Sequence, residues 1–370
     1  MSDDRLYVAF VGLRSPWGTE GGVEAHVAAL APRLVARGAH VTVYCRPRYN
    51  PHGNCYREGV RLADVPTTDG RASEAFVHTA LAAPRACLRH QVVHLHACGP
   101  ALFTPVPSAL GRRTVVTLHG KDWARDKWGP AARVALRAGA EVALRSAGRL
   151  VAVSQELADW CRSRGREAVR LPNGVEPHQP VAWDNRIFPM LRPRNYLLFL
   201  GRLVPEKGLE TLVAAASQAC LPLPVVIAGG SAHTDAFVAH LRRVADEDRV
   251  VFTGPQFGLE KRMLLGHARA FVLPSRVEGM PLALLEAMAA AVPPVTSDIA
   301  PNVEVAQDIG WRVPVDDVPA WARALRDVAA APEATLRAEG ERAQARALAQ
   351  FGWDSVAART MDLYRPLAPR

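Results

Sequence analysis

Two glutamates eight positions apart, Glu278 and Glu286, stand on either side of a Gly-Met-Pro turn and the start of an apolar run in "SRVEGMPLALLEAMA" (275–289). Carboxylates accept hydrogen bonds from hydroxyls, and Pro281 suits the first turn of a helix, whose unpaired N–H groups attract anions. Glu278 lies at the mouth of the turn. Glu286 lies about one and a half turns into the helix, flanked by Leu285, Ala287 and Met288. On this reading its side chain is largely desolvated until a ligand meets it. Upstream, "GRLVPEKG" (201–208) follows an apolar run and sets Arg202 and Lys207 five apart before another helix start. Two cations beside a helix N-terminus suit a diphosphate better than a lone carboxylate, although the pair by itself also fits a solvated surface. Hydroxyl acceptors next to an anion site describe a ligand with polyol and phosphate parts, as in a sugar nucleotide.

The elements that must position these residues follow from periodicity. "LYVAFVG" is a short apolar strand, "GVEAHVAALAPRLVARG" an amphipathic helix ending at Gly38, and "HVTVYC" a second strand, which together make a β-α-β unit. Further strands are expected at "VVHLHA", "TVVTLHG" and "RLVAVS". Residues 172–195, rich in Pro and Asn, lack periodicity and read as a linker. Strand and helix then alternate again through "YLLFLGR", "PVVIAGG", "RVVFTG" and "AFVLPS". The expectation is an α/β protein of two doubly wound Rossmann-like domains facing across a cleft, with ligands beyond the carboxyl ends of the strands.

A chain of 370 residues favours two domains. With 49% hydrophobic and 22% charged residues, disorder is excluded. Six cysteines without C-x-x-C or metal-ligand spacing fit buried thiols in a reducing compartment. No stretch approaches the roughly 20 apolar residues of a membrane span, and "MSDDRLYVAF" begins acidic where a signal peptide is basic. The chain is therefore expected to be cytoplasmic. Residues 1–185 carry +8 of the net charge of +9. That excess suggests an anionic partner such as a membrane surface or phosphorylated acceptor, while arginine-rich composition explains it equally well.

The E-x7-E pair, "GRLVPEKG" and "PSRVEGMPLALLEAMA", with "GTEGGVEAHVAALAPRLVARGAHVTVYC", "VVTLHGKDW", "VAVSQELADW" and "LPNGVE" in order, resemble the retaining GT-B-fold glycosyltransferases of family 4. "HGKDWARDKWG" and Gly21-Gly22-Val23-Glu24 are similar to its rhamnosyl or exopolysaccharide transferase subgroup. The resemblance covers nearly the whole chain. It implies an acceptor-side domain over 1–182, completed by a closing helix at about 354–370, and a nucleotide-sugar domain over 183–353. It further implies transfer from a nucleotide diphosphate sugar, UDP by family frequency, to a saccharide or lipid-linked acceptor in bacterial polysaccharide or glycoconjugate synthesis.

By position, the resemblance implies that Arg202 and Lys207 hold the donor diphosphate. Glu278 and the amides of Gly279, Met280 and Leu282 would bind the sugar hydroxyls and distal phosphate, and Glu286 the ribose. Gly21 and Gly22 would let the first loop approach the phosphate, and His119 would fix hydroxyls at the reacting carbon. His119, Arg202, Lys207 and Glu278 form the implied catalytic set. Neither cofactor nor metal is implied, and no carboxylate nucleophile of the kind used by retaining hydrolases. A front-face attack in an ion pair is the implied route.

Other residues have plainer readings. Asp122 is better explained as a capping or ion-paired residue beside Lys121 and Arg125 than as a base. His94 and His96 share one strand face, yet no third ligand stands near them in sequence, which favours structural or acceptor-side roles over metal. Trp123, Trp128 and Trp160 read as core, or "DWARDKW" as a seat for peripheral membrane contact. A transferase with a small-molecule acceptor and a nucleotide-sugar epimerase are the alternatives. A nucleic-acid binder lacks any RNP, helix-turn-helix or zinc signature.

Overall fold

The computed structural model describes residues 5–17, 21–70, 73–125, 128–232 and 234–364. Apart from the stretch Arg125–Lys127, the chain divides into two units, one running to Gly174 and resuming at Trp353, the other spanning Val175–Gly352.

The first unit contains β1 (Leu6–Val11), α1 (Gly22–Ala36), β2 (Ala39–Cys45), β3 (Cys55–Arg57), β4 (Val60–Asp64), α2 (Ser73–Arg89) and β5 (Val92–His96). It continues through α3 (Cys98–Ala101), α4 (Pro105–Ala109), β6 (Arg113–Leu118), α5 (Pro130–Ser146), β7 (Arg149–Ala152), α6 (Gln155–Ser163) and β8 (Val169–Arg170). Its sheet runs β3-β4-β2-β1-β5-β6-β7-β8. All pairings are parallel except β3 with β4, a hairpin whose three-residue first strand caps the edge. The central strands are near-continuous apolar runs because helices cover both faces of a parallel sheet. Val8, Phe10, Val41, Val43, Val92 and Val115 accordingly lie in one buried cluster.

The second unit holds β9 (Leu197–Leu200), α7 (Leu209–Ala219), β10 (Val225–Ala228), α8 (Asp235–Val244), β11 (Val250–Gly254), α9 (Gly258–His267) and β12 (Ala270–Leu273). α10 (Leu282–Ala289), β13 (Pro294–Ser297), α11 (Ala300–Ala306), β14 (Trp311–Val313), α12 (Val318–Ala330) and α13 (Glu333–Phe351) follow. The sheet order β11-β10-β9-β12-β13-β14 is the doubly wound order that reverses between its first and fourth strands. Buried aromatics have their polar ends satisfied: Tyr196 Oη donates to Leu264 O at 2.7 Å and Trp321 Nε1 to Pro314 O at 3.0 Å.

The last helix, α14 (Trp353–Tyr364), belongs to the first unit. Trp353, Val356, Met361 and Tyr364 join that unit's buried cluster, and each large apolar side chain so buried contributes about 1.5–3 kcal/mol. Val175 N donates to Phe351 O at 2.7 Å, so the second unit's entry and exit points are neighbours. Among the described residues no helix is long and apolar enough to cross a membrane. Four cysteines are buried, but Cys55 is half-buried and Cys220 exposed, which corrects the expectation of uniformly buried thiols.

Candidate functional site

In the second unit the sheet order reverses between β9 and β12, so the loops leaving these two strands flank the crevice that such sheets offer to ligands. The first loop carries Arg202, half-buried, and a 3₁₀ turn over Pro205–Lys207. Gly208 closes it at φ +66°, and a Cβ there would lie 2.2 Å from Pro274 O, so both conformation and contact demand glycine. The loop after β12 is tied to it. Arg276 N donates to Glu206 O at 2.9 Å and Arg276 Nη1 to Pro205 O at 3.0 Å. The Arg276 guanidinium also bonds Asp316 at 2.8 Å and holds that carboxyl below its usual range.

These ties set Lys207 against Glu278. Lys207 Nζ donates to Glu278 Oε1 at 2.5 Å, and Ser275 Oγ donates to the same oxygen at 2.7 Å. The two side chains are only 16% and 9% exposed, so the pair is largely desolvated. Gly279 and Met280 are buried beside it, and Pro281 is the N-cap of α10 rather than its first residue. The first intrahelical bond at this end runs from Leu285 N to Pro281 O, so the N-terminus of α10 opens at this turn. An ammonium, a carboxylate and a helix N-terminus thus converge where the sheet order reverses. The arrangement can bind an anion and hydroxyls together.

Glu286 departs from its expected burial. Its side chain is 35% exposed and Lys261 Nζ donates to its Oε1 at 2.7 Å. The reason is the helical period: Leu284, Leu285, Ala287, Met288 and Ala289 are buried, whereas Leu282, Ala283, Glu286 and Ala290 share the more open side. Neighbours in sequence were a poor guide to neighbours on the helix face. In the sequence Lys261, on α9, stands in an ordinary "EKR" run with nothing to mark its partner.

The first unit has its own reversal between β1 and β5. Of the glycine-rich loop after β1, residues 18–20 lie outside the described residues. Gly21 is the N-cap of α1 and Gly22 its first residue. Glu24 folds back so that Arg14 N donates to its Oε1 at 3.2 Å, and a Cβ on Gly21 would lie 2.0 Å from Glu24 Oε2. That carboxylate is the mobile end of a side chain and Gly21 has extended backbone, so neither contact nor conformation requires glycine there.

His119 follows β6 and is half-buried, and its Nε2 lies 3.0 Å from His96 Nδ1. His26, on α1, packs edge-on to His119 with ring centroids 4.9 Å apart, and its Nδ1 donates to Asn173 Oδ1 at 2.9 Å. One ring nitrogen from each of His26, His96 and His119 lies within 4.8 Å of the other two. No third ligand stands near His94 and His96 in sequence, but in space α1 and the residue after β6 bring two more imidazoles to His96. His94 stands outside this group, bonded to Tyr364 Oη at 2.6 Å and Thr117 Oγ1 at 2.7 Å. Burial pushes His26 down to about 4, opposed by its bond to Asn173, and pushes His94 down to about 3. His96 is also held well below the ordinary imidazole value, by burial and by its histidine neighbours.

Lys121 bonds Glu156 at 2.5 Å rather than Asp122, which opens a 3₁₀ turn over Asp122–Ala124. Trp123 and Trp160 are half-buried and pack together with centroids 4.8 Å apart. Residues 126 and 127 of "DWARDKW" lie outside the described residues.

Two family models match the chain: "Glycosyltransferase Family 4" over residues 20–179 and "Glycosyl transferases group 1" over residues 194–331. Among curated proteins the chain is 28% identical to α-maltose-1-phosphate synthase of Mycobacterium tuberculosis, over 97% of this chain and 99% of that one. It is 29% identical to D-inositol 3-phosphate glycosyltransferase of Kineococcus radiotolerans, over 94% and 91%. Among solved structures it resembles Anabaena HepE in complex with UDP-glucose, with a TM-score of 0.81, 16% identity and coverage of 98% of this chain and 100% of that one.

Proposed function

The chain belongs to the group 1, family 4 glycosyltransferases and has their GT-B fold, and from that premise we propose that it is a retaining enzyme using a UDP-sugar donor. The acceptor in this reading is a saccharide or lipid-linked saccharide of bacterial polysaccharide or glycoconjugate synthesis. The donor's diphosphate takes Lys207 and Arg202, with the amides of Gly279, Met280 and Leu282 at the distal phosphate. Glu278, released from Lys207, accepts from sugar hydroxyls. Glu286 exchanges Lys261 for the ribose hydroxyls. Gly21 and Gly22 admit the first loop to the phosphates, and His119 hydrogen-bonds the sugar.

The observation that carries this reading is the desolvated Lys207–Glu278 pair between β9 and β12, at the start of α10. As the sugar leaves, negative charge grows on the departing phosphate, where an ammonium and helix amides stabilise it more than they do the ground state. No carboxylate nucleophile is assigned. The acceptor attacks from the face the diphosphate leaves, and the leaving phosphate takes its proton. No step uses a metal ion or another cofactor, and nucleic acid is not a partner. UDP as the donor nucleotide is favoured by the ligand of the HepE structure. A small phosphorylated acceptor is the second reading, favoured by the name of the inositol 3-phosphate relative. The basic first half supports a cytoplasmic enzyme in peripheral contact with an anionic inner membrane face.

The test is to incubate the enzyme with UDP-, GDP-, ADP- and dTDP-sugars and follow nucleotide release together with the anomeric proton of the first product by NMR. Release of UDP with the donor's anomeric configuration kept is expected. Release only from another nucleotide would sink the UDP assignment, and an inverted product would sink retention.

A further inference from the structure

We propose that His26, His96 and His119 form a binding site for one borderline transition-metal ion of the Zn²⁺, Ni²⁺ or Cu²⁺ class, and that the bound ion inhibits transfer. Three imidazoles from α1, the end of β5 and the residue after β6 converge on one point, with a ring nitrogen from each within 4.8 Å of the others. Imidazole is a preferred ligand for these metals, and three ligands with one open position is a common coordination pattern.

The surroundings fit that use. His96 is fully buried, and its Nε2 has no hydrogen-bond partner among the described residues. A buried ring nitrogen left without a partner is costly unless something satisfies it. Asn173 accepts from His26 Nδ1, which sets the tautomer and leaves Nε2 as the ligand atom. That is the outer-shell contact that metal-bound histidines usually have. All three rings can present a lone pair only when neutral, and burial already disfavours the charged form of His26 and His96. Metal–nitrogen bonds of about 2.0–2.1 Å require tetrahedral N···N separations of about 3.4 Å, so the widest gap must close by somewhat over 1 Å. His119 lies just beyond its strand and is the least buried of the three by exposed surface, so the closure is assigned to its ring. Coordination breaks the His96–His119 hydrogen bond and occupies a nitrogen of His119.

Inhibition rests on the proposed role of His119 at the sugar, whereas binding does not. The chelator-treated full-length protein is titrated with Zn²⁺ by calorimetry and with Co²⁺ by visible absorption. One tight equivalent with a tetrahedral Co²⁺ spectrum is expected, weakened at least tenfold in H119A and in H96N. The half-buried His119 makes H119A the variant with least risk to folding, and H240A, exposed and remote in sequence, serves as the surface control. No stoichiometric binding, or binding equal in H119A and the parent, would overturn the site. In parallel, Zn²⁺ should suppress UDP release and a chelator should restore it. Tight binding without suppression would overturn inhibition and count against His119 at the sugar, while leaving the metal site standing.

Discussion

Lys207 and Glu278 neutralise each other across 2.5 Å, although they come from loops 71 residues apart in the chain. Under the proposed function, a diphosphate would compete with Glu278 for Lys207, and the displaced carboxylate would become an acceptor for hydroxyls. One pair would thereby couple recognition of the two halves of the donor.

Lys207→Ala tests this coupling. Losing a cation that faces developing charge should lower kcat/KM about 100-fold or more. Glu278 would keep Ser275 as a partner, so the stability loss should stay near 1–3 kcal/mol. Steady-state kinetics alongside urea unfolding would check both, and a kcat/KM within threefold of the parent would contradict the assignment.

Glu286→Gln and Glu286→Ala should separate binding from folding. The Lys261–Glu286 pair is about one-third exposed on both sides, and pairs of that kind contribute about 0–1 kcal/mol. Melting temperature should hardly move, while donor affinity falls tenfold or more as ribose contacts are lost. Unchanged donor affinity in both variants would remove Glu286 from the ribose site.

Gly208→Ala should act on the loop itself. A methyl group would meet Pro274 O at 2.2 Å with φ at +66°, so strain of about 1–3 kcal/mol is expected, together with weaker donor binding as the β9 and β12 loops part. Urea midpoints and donor titration would report it. Parent-like values in both would show that the loops yield without cost.

Acid should loosen the first unit before the second. His26, held down to about 4, and His94, held down to about 3, both lie there and are neutral when folded. Unfolded imidazoles near 6.5 take up protons sooner, so their contribution is complete above about pH 6.5, is lost progressively as pH falls below it, and is gone once pH has passed through the folded values. For His26 alone the span from 6.5 to about 4 corresponds to about 3 kcal/mol. Between pH 7 and pH 5, hydrogen-exchange protection in β1, β5 and β6, corrected for the intrinsic rate, should fall more than in β9 and β10. Equal losses would contradict the assignment of acid sensitivity to these buried rings.

The strands that build both sheets were legible because parallel strands covered on both faces are unbroken apolar runs such as "LYVAFV" and "YLLFL". Gly208 and the Arg202–Lys207 loop were legible as a cation-bearing turn between strand and helix. The β3–β4 hairpin was not, since "CYR" carries too few residues to show alternation. Nor were Lys261 opposite Glu286 and His26 opposite His96 and His119, because tertiary packing sets these contacts and no local period encodes them. The exposure of Glu286 has a related cause: burial follows the face of the helix, and only its position among 282, 283 and 290 reveals the open side.

The central claim is that the β9–β12 reversal binds a nucleoside diphosphate through Lys207, and calorimetric titration of the full chain with UDP, GDP, ADP and dTDP measures this directly. Selective binding of UDP that falls at least tenfold in Lys207→Ala is the predicted result. Binding of every diphosphate alike, or of UDP equally by the variant and the parent, would contradict it.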